Sequence, residues 1–153
     1  MRDVPRLPLR AWLLAAALLG AGCLHARAVP ECPGEWVSTE AIEGDFIVRQ
    51  RLLVSRGDRV FALHLVAQKR GDELLLLGLH PFGAKLFTLR QRGLATSVDA
   101  APAPVLEVPP LNVLRDFHRA RLVGHGVGSR VTIEHDACGY RAELTTLSEQ
   151  ALP

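Results

Sequence analysis

The sequence predicts a mainly β, α+β domain: a curved antiparallel sheet with one packed helix. Turn-forming clusters recur at short intervals between residues 46 and 90, separated by apolar or alternating runs. A proline-rich stretch from Ala100 to Pro110 then excludes itself from any sheet. A single segment with helical apolar spacing follows it.

Phe46 to Val54 reads as the first strand, closed by Ser55-Arg56-Gly57-Asp58. Val60 to Gln68 alternates, with Phe61, Leu63 and Leu65 on one side and Ala62, His64 and Val66 on the other. Lys69-Arg70-Gly71-Asp72 is the next turn. Leu74 to Leu79 is continuously apolar, the pattern of a strand buried on both faces. His80-Pro81-Phe82-Gly83 turns the chain into a strand from Ala84 to Arg90, after which the strand pattern stops. Pro102, Pro104, Pro109 and Pro110 crowd the next segment, and Pro110 suits the first turn of a helix. Leu111, Leu114, Phe117 and Leu122 define an amphipathic helix over about 111–121. Gly124, Gly126 and Gly128 end it, and Val131–His135 with Tyr140–Thr146 form a last hairpin around Asp136-Ala137-Cys138-Gly139.

The N-terminus reads as an export signal. Arg2, Arg6 and Arg10 precede a run from Ala11 to Gly22 that is apolar or small and shorter than the roughly 20 residues needed to span a bilayer. Leu19-Gly20-Ala21-Gly22-Cys23 has the form of a lipobox, which makes Cys23 the lipid-modified first residue of the mature chain. Ala26-Arg27-Ala28 is a competing site for ordinary cleavage, which would release a soluble periplasmic protein starting at Val29. The organisation expected is a signal over 1–22, a tether over 23–34 and one domain over 35–153.

Removing residues 1–22 leaves 131 residues with 15 basic and 15 acidic side chains. No basic face is therefore expected, and nucleic acid is excluded as a partner. With Cys23 acylated, Cys32 and Cys138 remain as a pair beside Pro or Gly. An oxidising periplasm permits a disulfide between them. No Cys or His spacing suggests a metal, and no cofactor is expected.

Catalytic signatures are missing as well: there is no nucleophile elbow and no P-loop. Gly124-His125-Gly126-Val127-Gly128-Ser129 follows a helix and precedes a strand, the reverse of a phosphate loop's context. The chain is not expected to be an enzyme.

Two segments carry a resemblance. One is Leu74-Leu75-Leu76-Leu77-Gly78-Leu79-His80-Pro81-Phe82-Gly83-Ala84-Lys85-Leu86-Phe87-Thr88-Leu89; the other is Pro109-Pro110-Leu111-Asn112-Val113-Leu114-Arg115-Asp116-Phe117-His118. Over about residues 46–122 the chain resembles an uncharacterised family of bacterial lipoproteins, some found with aryl-polyene biosynthesis genes. In the same order it is similar to the LolA/LolB type of lipoprotein carrier and outer-membrane receptor. That resemblance implies an open half-barrel with a helical lid over an apolar cavity. It also implies that Phe82, at the tip of its turn, meets acyl chains or membrane; the alternative is a Phe82 folded back on the core.

The function expected is that of an outer-membrane lipoprotein on the periplasmic face, handling lipid or acylated proteins. Cys23 is its anchor and Phe82 and Leu79 its contacts. Leu63, Leu65, Leu75, Leu77 and Phe87 are its apolar wall. The alternative is a structural or assembly lipoprotein that binds a protein partner without a lipid cavity.

Overall fold

Alternation along the chain becomes sheet once glycines turn it back on itself. The computed structural model describes residues 29–102, 107–124 and 126–153. The signal, Cys23, the rival cleavage site, Pro104 and His125 lie outside the described residues. Among the described residues there are seven strands: β1 (Phe46–Arg56), β2 (Arg59–Arg70), β3 (Glu73–Leu79), β4 (Lys85–Arg92), β5 (Ala95–Ala100), β6 (Arg130–His135) and β7 (Tyr140–Ala151). They form one open antiparallel sheet in the order β5-β4-β3-β2-β1-β7-β6. The one α-helix among the described residues, α1 (Pro110–Val123), starts with Pro110 in its first turn and packs on one face of the curved sheet. The predicted class, a curved sheet with one helix, is the one observed.

Three expectations need correction. The strand pattern does not stop at Arg90. β4 continues to Arg92, Gly93 turns with φ +53°, and β5 pairs Phe87 with Ala100 through Arg92 with Ala95. This edge strand, Ala-Thr-Ser-Val-Asp-Ala, is nearly all exposed and so lacks the apolar alternation that reveals half-buried strands. Second, β3 is not buried on both faces. Leu74, Leu76 and Gly78 are buried, whereas Leu75, Leu77 and Leu79 are only half-buried on the uncovered face. Third, α1 is not simply amphipathic: Asn112, Arg115, Asp116 and His118 are buried with its apolar residues. A second layer covers its outer side.

The core lies between α1 and the covered face of the sheet. Phe87, Phe117, Leu52, Leu65, Leu74, Leu76, Leu89, Leu114 and Leu144 are fully buried there. Gly78 is required beneath Phe87, because a Cβ at that position would sit 2.1 Å from the ring's Cε1. The turns 57–58, 80–84 and 136–139 and the end of β5 share one end of the sheet, called here the Phe82 end. The starts of β1 and β6 and the turns 71–72 and 93–94 mark the opposite end.

Candidate functional site

The β3–β4 turn presents Phe82 to solvent. His80 N–H donates to Ala84 O at 2.8 Å and Gly83 N–H to His80 O at 2.7 Å, which closes the loop. Phe82 N–H donates to His80 Nδ1 at 3.3 Å, and the two rings lie 5.1 Å apart. Gly83 takes φ +90°, a conformation few other residues accept. The phenyl ring is therefore held outward, and Phe82 is 94% exposed. Of the two alternatives for this residue, the structure shows the outward one.

The residues expected to form one apolar wall do not lie together. Leu63, Leu65 and Phe87 face α1 and are buried in the core. Pairing puts Leu65 and Phe87 opposite Gly78, and Leu75, Leu77 and Leu79 opposite Gln68, Val66 and His64. The latter three leucines therefore line the uncovered face. Side chains of α1, chiefly Leu114 and Phe117, fill the space that a half-barrel cavity would occupy.

The polar residues of α1 have a different task. Residues 29–38 run over its outer side as an extended strap. Cys32 N–H donates to Asn112 Oδ1 at 2.9 Å, and Asn112 Nδ2 donates to Pro30 O at 2.8 Å. Arg115 Nε donates to Gly34 O at 2.9 Å, its Nη1 donates to Asn112 Oδ1 at 3.2 Å, and its guanidinium lies over Trp36. Val37 N–H donates to His118 Nδ1 at 3.2 Å. Asn112, Arg115 and His118 are spaced by three, one helix face, and that face reads the strap's backbone. The expected disulfide is present: Cys32 is bonded to Cys138 in the β6–β7 turn, with a Cα–Cα distance of 5.8 Å.

On the side of α1 toward β6 and β7, Asp116 Oδ1 meets His135 Nε2 at 2.5 Å and Oδ2 accepts from Tyr140 Oη at 3.0 Å. The His135 and Tyr140 rings stack at 4.3 Å. Burial pushes the Asp116 carboxyl above its ordinary range, partly offset by His135 and by the Tyr140 hydroxyl. Burial and the Asp116 charge raise the Tyr140 phenol. Both Asp116 oxygens are engaged and the residue is fully buried, so the cluster ties α1 to the last hairpin. Its members stand far apart in sequence and no motif announces them. Ser129 donates to Thr146 Oγ1 at 3.1 Å. Among the described residues no group of three or more His, Cys, Asp or Glu can hold a metal ion, and no helix is long and apolar enough to cross a membrane.

His118 gives a pH prediction. Burial lowers its imidazole from 6.5 to about 4. Between those values the unfolded chain binds the proton and the folded one does not, so stability rises with pH across this window and is lost as pH falls through it. The full effect is on the order of 3 kcal/mol. Asp116, raised in the fold, has the opposite sign, so the comparison of wild type with His118→Gln isolates the histidine. Urea midpoints from pH 4 to 7 are expected to climb more steeply for wild type, and parallel curves would contradict this.

Residues 47–122, from β1 to the last turn of α1, match the model of a protein family described as "Protein of unknown function (DUF3261)". No curated protein matches the chain. The match ends before β6 and β7 and leaves out the strap, yet it includes Phe82, Asn112, Arg115, Asp116 and His118. Over residues 47–122 the chain is thus similar to the DUF3261 family.

Proposed function

We propose that this is a lipid-anchored envelope domain that handles lipid or acylated protein at the periplasmic face of the outer membrane, through its Phe82 end. The observation that carries the reading is the outward Phe82 on a turn held by three hydrogen bonds. An aromatic ring at a rigid tip gains by entering hydrocarbon, while Pro81, Gly83 and Ala84 beside it are exposed and uncharged.

The position of the tether supports this orientation. Val29 N–H donates to Glu107 O at 2.9 Å, and Cys32 is held at the Phe82 end by Cys138. Six residue steps separate Val29 from Cys23, a reach of at most about 20 Å. An acyl anchor on Cys23 would keep the Phe82 end near the membrane.

With the core filled by α1, the membrane is met by the tip and not by the mouth of an internal cavity. Phe82→Ala is expected to keep the unfolding midpoint unchanged, because the side chain packs on nothing but His80, and to slow transfer of acylated peptide into vesicles at least fivefold. Unchanged transfer would remove Phe82 from the site.

A second reading, docking on a protein partner without lipid, draws on the uncovered face of the sheet. There Val66, Leu75, Leu77 and Leu79 are half-buried and lie beside exposed Arg49 and Arg51. Unchanged transfer in Phe82→Ala, together with a copurifying protein lost in Leu77→Asp, would move the assignment to this face.

A further inference from the structure

A cleft of about 490 Å³ opens at the end of the molecule opposite Phe82. It lies between residues 41–44 and the last turns of α1, lined by Ile42, Glu43, His118, Arg121 and Leu122. Its size is that of a small-ligand site. His118 lines it while being only 2% exposed. Because Nδ1 accepts the Val37 amide proton, the neutral ring carries its own proton on Nε2. That buried donor has no partner among the described residues. A buried donor left in this way costs free energy that an acceptor reaching it from the cleft, through a small shift of the cleft wall, would recover.

The surroundings set the acceptor's charge. Arg121 is already engaged by Glu149, at 2.6 Å, and its guanidinium lies 4.2 Å from the Phe46 ring centroid. Glu43 and the carbonyl end of α1 add negative potential. A carboxylate head is therefore disfavoured, and a neutral carbonyl is not. Of the lining residues Leu122 is 65% exposed, and Val123 and Val127, which follow it in the chain, are 77% and 69% exposed. Glu149 accepts from both Arg121 Nη1 and Gly126 N–H, which brings Val127 back beside the helix end.

We infer that this cleft binds a single-chain acyl amphiphile, with an ester or amide carbonyl accepting from His118 Nε2–H and the chain lying along Leu122, Val123 and Val127. The inference rests on the lipid-handling reading and names its ligand class. It would place the ligand site at the end away from the membrane, open to arrivals from the periplasm.

The test is titration of the mature protein, labelled with ¹⁵N-histidine, with three probes below their aggregation concentrations: monopalmitoylglycerol, an N-palmitoyl tripeptide amide and palmitate. The ester, the amide or both are expected to shift the His118 Nε2–H resonance. Ester alone points to a lipid source and amide alone to an acylated protein. Leu122→Asp, at an exposed position that leaves the fold intact, is expected to weaken that binding at least tenfold, and palmitate is expected to bind at least tenfold more weakly. No shift with either neutral probe, equal or tighter binding of palmitate, or unchanged binding in Leu122→Asp would overturn the inference. Phe82→Ala is expected to leave these titrations unchanged, so failure of the cleft and failure of the membrane contact are read separately.

Discussion

Removing the Cys32–Cys138 bond with the double substitution Cys32→Ser and Cys138→Ser is expected to destabilise the domain by roughly 4–5 kcal/mol. The bond closes a loop with a sequence separation of 106, so its loss restores much conformational freedom to the unfolded chain. Cys32 is also buried in the core, so a polar hydroxyl there adds a cost in the folded state. Against a total stability of about 5–15 kcal/mol this is a large fraction. Urea unfolding of wild type with and without reductant, beside the double variant, checks it. Reduced wild type and the variant should share a low midpoint. A variant as stable as oxidised wild type would show that the strap holds without its covalent clip.

Asn112→Ala is expected to cost about 3–5 kcal/mol, from three polar groups left without their partner at up to 1–3 kcal/mol each. Those groups are the Cys32 amide, the Pro30 carbonyl and the Arg115 guanidinium. Asn112 is fully buried, so water does not replace it in the native state. Thermal unfolding gives the number. Faster proteolysis within residues 29–38 in the otherwise folded variant would locate the loss on the strap. A change under about 1 kcal/mol would mean that Asn112 does not hold it.

The second of these effects marks where sequence reading stopped. The strands with alternating burial, β1, β2, β4 and β7, were legible, because a half-covered sheet writes its face into a period of two. So were the helix, through Pro110 and the Leu114–Phe117 spacing, and the Cys32–Cys138 pair, which two loop cysteines in an oxidising compartment imply. β5 was not legible, since an exposed edge strand buries too little to leave a pattern. The burial of Asn112, Arg115 and His118 was also hidden. Their spacing by three was visible, but polar residues on one helix face ordinarily mean solvent. Only the strap, folded back from a segment read as a mere tether, reverses that meaning. Phe82 was named by the resemblance, which matches it to an exposed turn-tip residue, and the structure holds it outward. The leucines around it were divided by register between core and open face, which a continuous apolar run cannot show.

The most direct measurement is fluorescence from the indole introduced by Phe82→Trp, in a chain carrying Trp36→Phe, on the native lipid-anchored protein in vesicles with brominated acyl chains. Trp36 sits at the opposite end, bonded to Leu94 O, so replacing it leaves the tip unaltered. If the Phe82 end enters the lipid, emission shifts to the blue and is quenched by bromines near the headgroup. An emission maximum at the position of an indole in water, with an intensity identical to that in plain vesicles, would mean that the tip stays in water, and would contradict the proposed membrane contact.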